Sequence, residues 1–214
     1  MRSYSDSCQE AGHHSLCSIL IAVFPILLVL GCGSGAPREQ VPVCTQSVRR
    51  LYPESLQIAQ KWRADAYLVR AETDFVIGVC DSRDLYYNFV FRSHSSPLMQ
   101  IFLSYDSTKD SLREKLFAVP ADSTEHDTEI SDTDWPVDSV EALQVAQAHG
   151  GSEFLARHSS SNNLSLLLRL EKRLEGQQTR TVWFVSYYDQ LAAEVLRVVV
   201  DASTGEVVEV DTGQ

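Results

Sequence analysis

Four histidines follow the N-terminal apolar segment of this 214-residue chain: His94, His126, His149 and His158. A histidine can act as a general base or a metal ligand, but either role needs partners at suitable spacing. No other His or Cys stands three or four residues from any of them. His94 falls in a predicted turn, His126 in an acidic stretch and His149 at a predicted helix end, so they read as surface positions. The chain contains no His-Glu-x-x-His, Gly-x-Ser-x-Gly, phosphate loop, Gly-x-Gly-x-x-Gly or Cys-x-x-Cys. Residues 121–138 carry Asp122, Glu125, Asp127, Glu129, Asp132, Asp134 and Asp138 with no Lys or Arg. Hard cations want clustered oxygens, yet Asp132-x-Asp134-x-x-x-Asp138 lacks the turn glycine and closing glutamate of an EF-hand. The run reads as a solvated linker. No catalytic residue, metal site or cofactor is expected.

Cysteine chemistry depends on compartment. Residues 19–30 form an apolar run interrupted by Pro25. As a helix it would span roughly 18 Å, short of the roughly 30 Å hydrocarbon core, and it reads as a signal-peptide segment. Val29-Leu30-Gly31-Cys32 resembles a bacterial lipobox, which implies lipidation of Cys32 after removal of residues 1–31. A flexible tether, 32–43, opens with Gly33-Ser34-Gly35-Ala36-Pro37. Leu30 is larger than the pattern prefers, and Arg2 is the one fixed positive charge before the apolar run. An uncleaved anchor and cleavage by an ordinary signal peptidase remain the alternatives. In an exported chain the remaining pair, Cys44 and Cys80, is expected to form a disulfide. The bridge would contribute on the order of 3–4 kcal/mol; the alternative is two buried free thiols. A cysteine nucleophile would need a thiolate held beside a base, and the disulfide would remove both thiols.

The formal net charge is −11. Such a surface repels nucleic acid and anionic headgroups, so neither is an expected partner through broad electrostatics.

The elements that must position these residues are clearest over 181–210. Trp183, Val185 and Tyr187 alternate with Val182, Phe184 and Tyr188, as the two faces of a strand do. Asp201-Ala202-Ser203-Thr204-Gly205 reads as a turn between two further strands. Asp201 and Gly205 are expected to be structural, and Trp183 and Tyr187 to pack under a helix; Trp62, Tyr86, Tyr87 and Trp135 are read in the same way. Trp183-Phe184-Val185-Ser186-Tyr187, followed by Arg197-Val198-Val199-Val200-Asp201-Ala202-Ser203-Thr204-Gly205-Glu206-Val207-Val208, resembles the closing strands of a PepSY domain. The resemblance covers roughly residues 138–210.

The chain also resembles itself. Ser55-Leu56-Gln57-Ile58-Ala59-Gln60 answers to Ala142-Leu143-Gln144-Val145-Ala146-Gln147 at an offset of 87. Phe89-Val90 answers to Phe184-Val185, and Asp106 to Asp201, at an offset of 95. The expected organisation is a diverged PepSY-like unit at 44–118, an acidic linker at 119–137 and a second unit at 138–214. The expected fold is α+β: two tandem units, each a helix packed on a three- to four-stranded antiparallel sheet. In the first unit a helix is expected from Pro53 to residue 63. Strands follow near 67–77 (broken at Glu72-Thr73-Asp74), 85–92 and 98–105, and residues 110–116 fit either helix or strand. In the second unit Asp138 is expected to cap a helix with Glu141 reaching back, and the helix stops at Gly150-Gly151. Residues 154–158 are expected to be extended, 164–170 a strand and 171–178 a charged loop.

The resemblance implies a non-catalytic lipoprotein of the bacterial cell envelope that binds or restrains a protein partner, with a peptidase among the candidates. A sheet edge or helix–sheet groove would take a peptide strand. The alternatives are a structural scaffold and, more remotely, an unrecognised hydrolase.

Overall fold

The computed structural model describes residues 47–76, 86–106, 109–119, 128–161, 163–176 and 178–213, all within one compact unit, Pro37–Gln214. The elements run α1 (Val48–Trp62), β1 (Ala66–Val76), β2 (Tyr86–Ser93), β3 (Met99–Asp106), β4 (Ser111–Ala118), α2 (Ser139–Ala146), α3 (Ser152–Arg157), β5 (Leu164–Glu175), β6 (Gln178–Asp189), β7 (Glu194–Asp201) and β8 (Val207–Gly213). Helices and antiparallel strands combine as expected, but the two separate sheets do not occur. All eight strands form one sheet, ordered β4-β3-β2-β1-β5-β6-β7-β8. The cause is pairing between β1 and β5, from Arg70 opposite Glu171 to Val76 opposite Ser165, which leaves neither half an inner edge.

One face of the sheet carries the core. Phe89, Leu103, Leu168, Trp183 and Val198 pack there against the apolar sides of the helices. Helix α1 buries Val48, Leu51, Tyr52, Ser55 and Ala59, the stripe a helix presents to a core. It begins five residues before Pro53. Proline removes an amide donor from a helix interior, but the first turn is held from outside that ladder. The amide of Arg50 donates to Ser47 Oγ at 3.0 Å, that of Val48 to Ser139 Oγ at 3.1 Å and that of Arg49 to Asp138 Oδ1 at 3.1 Å.

The expected stop after α2 is present. Gly150 adopts φ +106°, a region open to glycine. A Cβ on Gly151 would lie 2.4 Å from Tyr187 Oη, so glycine is required there for space. The chain then turns back into helix, with Phe154 and Leu155 buried, instead of running extended over 154–158.

Three other stretches differ from expectation. β1 is unbroken because Thr73 points into the core while Glu72 and Asp74 occupy the other face. Residues 171–178 are mostly strand: β5 and β6 pair through to Glu175 opposite Gln178, and Gly176 at φ +64° begins the turn. In the acidic stretch, Ile130 donates its amide to Leu68 O at 2.8 Å and Trp135 is buried, so the described part is anchored at these two residues while Glu129 and Asp132 stay exposed. Residues 111–118 resolve as strand. The β6–β8 meander is as read: Asp201 Oδ1 accepts the amides of Ser203 at 2.7 Å and Thr204 at 3.0 Å. Among the described residues no helix is long and apolar enough to cross a membrane.

Candidate functional site

The helix N-termini converge on residues 131–139. Asp138 caps α2 by accepting the Ser139 amide at 2.7 Å, and its second bond goes to Arg49 of α1. The guanidinium of Arg49 lies 4.6 Å from the centre of the Trp135 ring and donates to Trp135 O. Trp135 meets Tyr52 and Trp183 edge-on at 5.4 and 6.2 Å. Burial, then a hydrogen bond with Asp132, pushes the Tyr52 hydroxyl well above its ordinary range. This aromatic cluster fills the junction between the two halves of the sheet.

Beside it lies a polar cleft of about 360 Å³, with Asp134, Lys172, Glu175, Arg180, Asp201 and Ser203 among its lining residues. Its charges are mutually committed. Lys172 Nζ is 2.9 Å from Asp134 Oδ2, and Arg180 Nε lies 3.4 Å from Asp201 and 3.7 Å from Glu175. Burial alone would raise the Asp201 carboxyl. Hydrogen bonds from Ser203 and Thr204 and the charge of Arg180 outweigh it and hold the group below its usual value. The same balance, through Lys172 and the Ser131 amide, holds Asp134 low. Ser203 Oγ donates to Asp201 Oδ1 at 2.5 Å, so the hydroxyl faces a carboxylate with no imidazole beside it.

A second cluster surrounds His158. Its Nδ1 lies 2.8 Å from Asp189 Oδ2 and its Nε2 lies 3.1 Å from Glu194 Oε2. Ser161 Oγ donates to the other Asp189 oxygen at 3.1 Å. A hydroxyl nucleophile needs the imidazole next to it, oriented by a third group beyond. Here the carboxylate stands between hydroxyl and ring, and both ring nitrogens are engaged. Asp189 Oδ1 also accepts the amides of Leu191 and Ala192 at 2.9 and 3.2 Å. The cluster therefore staples the end of α3 to the β6–β7 turn. Its partners lie 31 and 36 residues from His158, so no local spacing announces it.

The remaining candidate is the sheet's perimeter. Among the described residues, β4 pairs only with β3 and β8 only with β7. Their outer backbone groups form a template for strand addition. Leu116, Phe117 and Val210 on these edges are about half exposed. One row of directly opposed residues crosses all eight strands: Arg113, Ser104, Asn88, Glu72, Arg169, Phe184, Val199 and Glu209. Directly opposed residues share a face. This face is opposite the one packed on the helices, because the intervening residues Leu103, Phe89, Ala71, Leu170, Trp183 and Val198 belong to the core.

A solved structure shares this fold. It is a candidate lipoprotein from Clostridium difficile 630, with 12% identity and a TM-score of 0.50 over 76% of this chain and 92% of that one. The Bacillus megaterium YpeB C-terminal domain aligns over 82% of this chain and 69% of that one, at 13% identity and a TM-score of 0.28. No protein-family model matches the chain, and no curated protein matches it in sequence.

Cys32, Cys44, Cys80 and His126 lie outside the described residues. His94 is exposed, stacked on Tyr67 at 4.4 Å and 3.6 Å from Glu129. His149 Nδ1 sits 2.8 Å from Val145 O. Trp183 and Tyr187 are fully buried, and Trp183 Nε1 donates to Val137 O at 2.9 Å. Tyr87 and Trp135 are buried and Trp62 is partly so, whereas Tyr86 is exposed. Among the described residues no three His, Cys, Asp or Glu side chains are grouped to hold a metal ion.

Proposed function

We propose that this chain is a PepSY-like lipoprotein of the bacterial cell envelope, anchored through Cys32, that catalyses no reaction and offers its sheet edges to a protein partner, with a peptidase among the candidates. The observation that carries the reading is the pair of edge strands, β4 and β8, each of which, among the described residues, is paired on one side only, while the other strands are paired on both. The charge pairs of the cleft and the His158 cluster are committed to structural partners, which leaves the edges as the unspent recognition surface. The solved structure that shares the fold is described as a candidate lipoprotein, which fits the anchoring; in this reading residues 1–31 are removed and 32–43 form the tether. In the same reading an oxidising compartment would join Cys44 and Cys80 in a disulfide.

The duplication into units at 44–118 and 138–214 is supported by the order of elements. The first half runs one helix then four strands, the second runs α2 and α3 then four strands, and the strand order reads outward from the β1–β5 seam in both directions. At the seam, Arg70-Ala71-Glu72 of β1 lies antiparallel to Arg169-Leu170-Glu171 of β5, with Arg70 opposite Glu171 and Glu72 opposite Arg169.

A scaffold is the second reading. The shared cap at Asp138 and the β1–β5 seam join the halves into one body, which suits a protein that holds a fixed spacing. Photoreactive side chains in place of Leu116, Val210 or Glu54 of the full chain, in intact cells, separate the readings. Partner binding predicts protein adducts from Leu116 or Val210 and none from Glu54, which is exposed on α1. Absence of edge adducts rejects it.

A further inference from the structure

On their helix-free faces the two edge strands of the described sheet carry opposite charge. On the helix-free face of β4 stand Arg113 and Lys115, and on the same face of β8 stand Glu209 and Asp211. All four are exposed. The face assignment follows from the register: Arg113 and Glu209 end the row that crosses the whole sheet, Lys115 lies opposite Phe102, and Asp211 lies opposite Arg197. In a chain of net charge −11, this face of β4 runs against the general excess of acid, with Glu114 on the strand's other face.

We propose that the partner at these edges is a second copy of this chain, joined by antiparallel addition of its β4 to β8 of the first. The inference rests on the strand-addition reading above. Geometry permits it. Neighbouring strands are antiparallel across the whole sheet, so β4 and β8 run in opposite directions. A second molecule in the same orientation continues the alternation and keeps its helices on the same side. The lengths fit, at eight residues for β4 and seven for β8. In an antiparallel pair, the register that sets Arg113 against Asp211 also sets Lys115 against Glu209. Cross-strand opposite charges are favourable and like charges are not.

Edge charges usually keep sheets apart. Here they do so selectively: β4 repels β4, β8 repels β8, and the mixed pairing is attractive. Arg113 already contacts Asp106, and Glu209 contacts Arg173 at 2.6 Å, so each edge charge has an internal partner that the new strand would share. The interface is head-to-tail, which builds a ring if its rotation closes and a filament if it does not.

The test uses two differently tagged copies of the full chain co-expressed in one cell. One variant carries R113E and K115E, giving two acidic edges; the other carries E209K and D211K, giving two basic edges. Wild-type copies are expected to co-purify. Each variant paired with itself should recover roughly tenfold less of the second tag. The acidic-edge variant paired with the basic-edge variant should recover it again, and this also shows that both variants fold. Loss in the mixed pair, retention in a self-pair, or wild-type copies that do not co-purify overturns the proposal. Photoadducts from Leu116 at the mass of a different protein also overturn it while leaving the strand-addition reading intact; no adduct of any kind removes both.

Discussion

The amide of Val48, first residue of α1, donates to the hydroxyl of Ser139, first residue of α2, across 3.1 Å. These residues are 91 positions apart, and the bond lies beside Asp138, which serves both helices. Replacing Asp138 with Ala removes one cap from each helix. A cap is worth about 1 kcal/mol, so D138A should lower unfolding stability by about 2 kcal/mol in denaturant titration. D138N keeps the accepting oxygen and should lose less than half of that.

The same junction couples the two halves. With β1 paired to β5 and α1 tied to α2, the described fold should unfold in one transition. Far-ultraviolet circular dichroism and tryptophan fluorescence should report coincident midpoints. Two separated transitions would show that the halves are independent.

Gly151 tests the packing beneath the α2–α3 kink. A Cβ there would sit 2.4 Å from Tyr187 Oη and 2.9 Å from Ala146 O. G151A should cost about 1–3 kcal/mol, the usual penalty of overpacking a core. By contrast, a Cβ on Gly176 meets nothing within 4 Å but requires φ +64°. G176A should cost about 1 kcal/mol through backbone strain alone.

Acid should weaken the fold below the usual carboxylate range. The Asp65 carboxyl is held down to about 2, chiefly by the Ser93 hydroxyl at 2.7 Å, with further bonds from Ser95. Asp201, Asp189 and Asp134 are also lowered. A carboxyl lowered on folding adds stability that is present above its unfolded value and lost as pH falls through the folded value. Stability should therefore fall between about pH 4 and pH 2. In D65N, urea midpoints measured across that window should show a shallower decline.

Some of this was legible in residue order. The β6–β8 meander was plain because Trp183, Val185 and Tyr187 alternate against Val182 and Phe184, and because Asp201 and Gly205 suit the turn. The repeat offsets of 87 and 95 aligned α1 with α2 and β2 with β6. The end of β5 was hidden because Glu171, Lys172, Arg173 and Glu175 look like a loop. In the fold, Glu171 and Arg173 lie on the helix-free face and Lys172 reaches Asp134. The start of α1 was hidden because its first amides are satisfied by Ser139 and Asp138, far along the chain. The candidate site was least legible. The chain marks β4 and β8 as strands, or nearly so, but only long-range strand order makes them edges. The single β1–β5 pairing decides that order, and neither strand's local pattern specifies its partner.

Hydrogen exchange tests the central claim, that the outer backbone of β4 and β8 is a recognition surface. The full chain would be measured in the cell fraction that holds it and again after purification to high dilution. The account predicts exchange at least roughly tenfold slower in the cell fraction over 111–118 or 207–213, with α1 unchanged, because a docked strand protects outward amides. Equal exchange at both edges in the two states would contradict it.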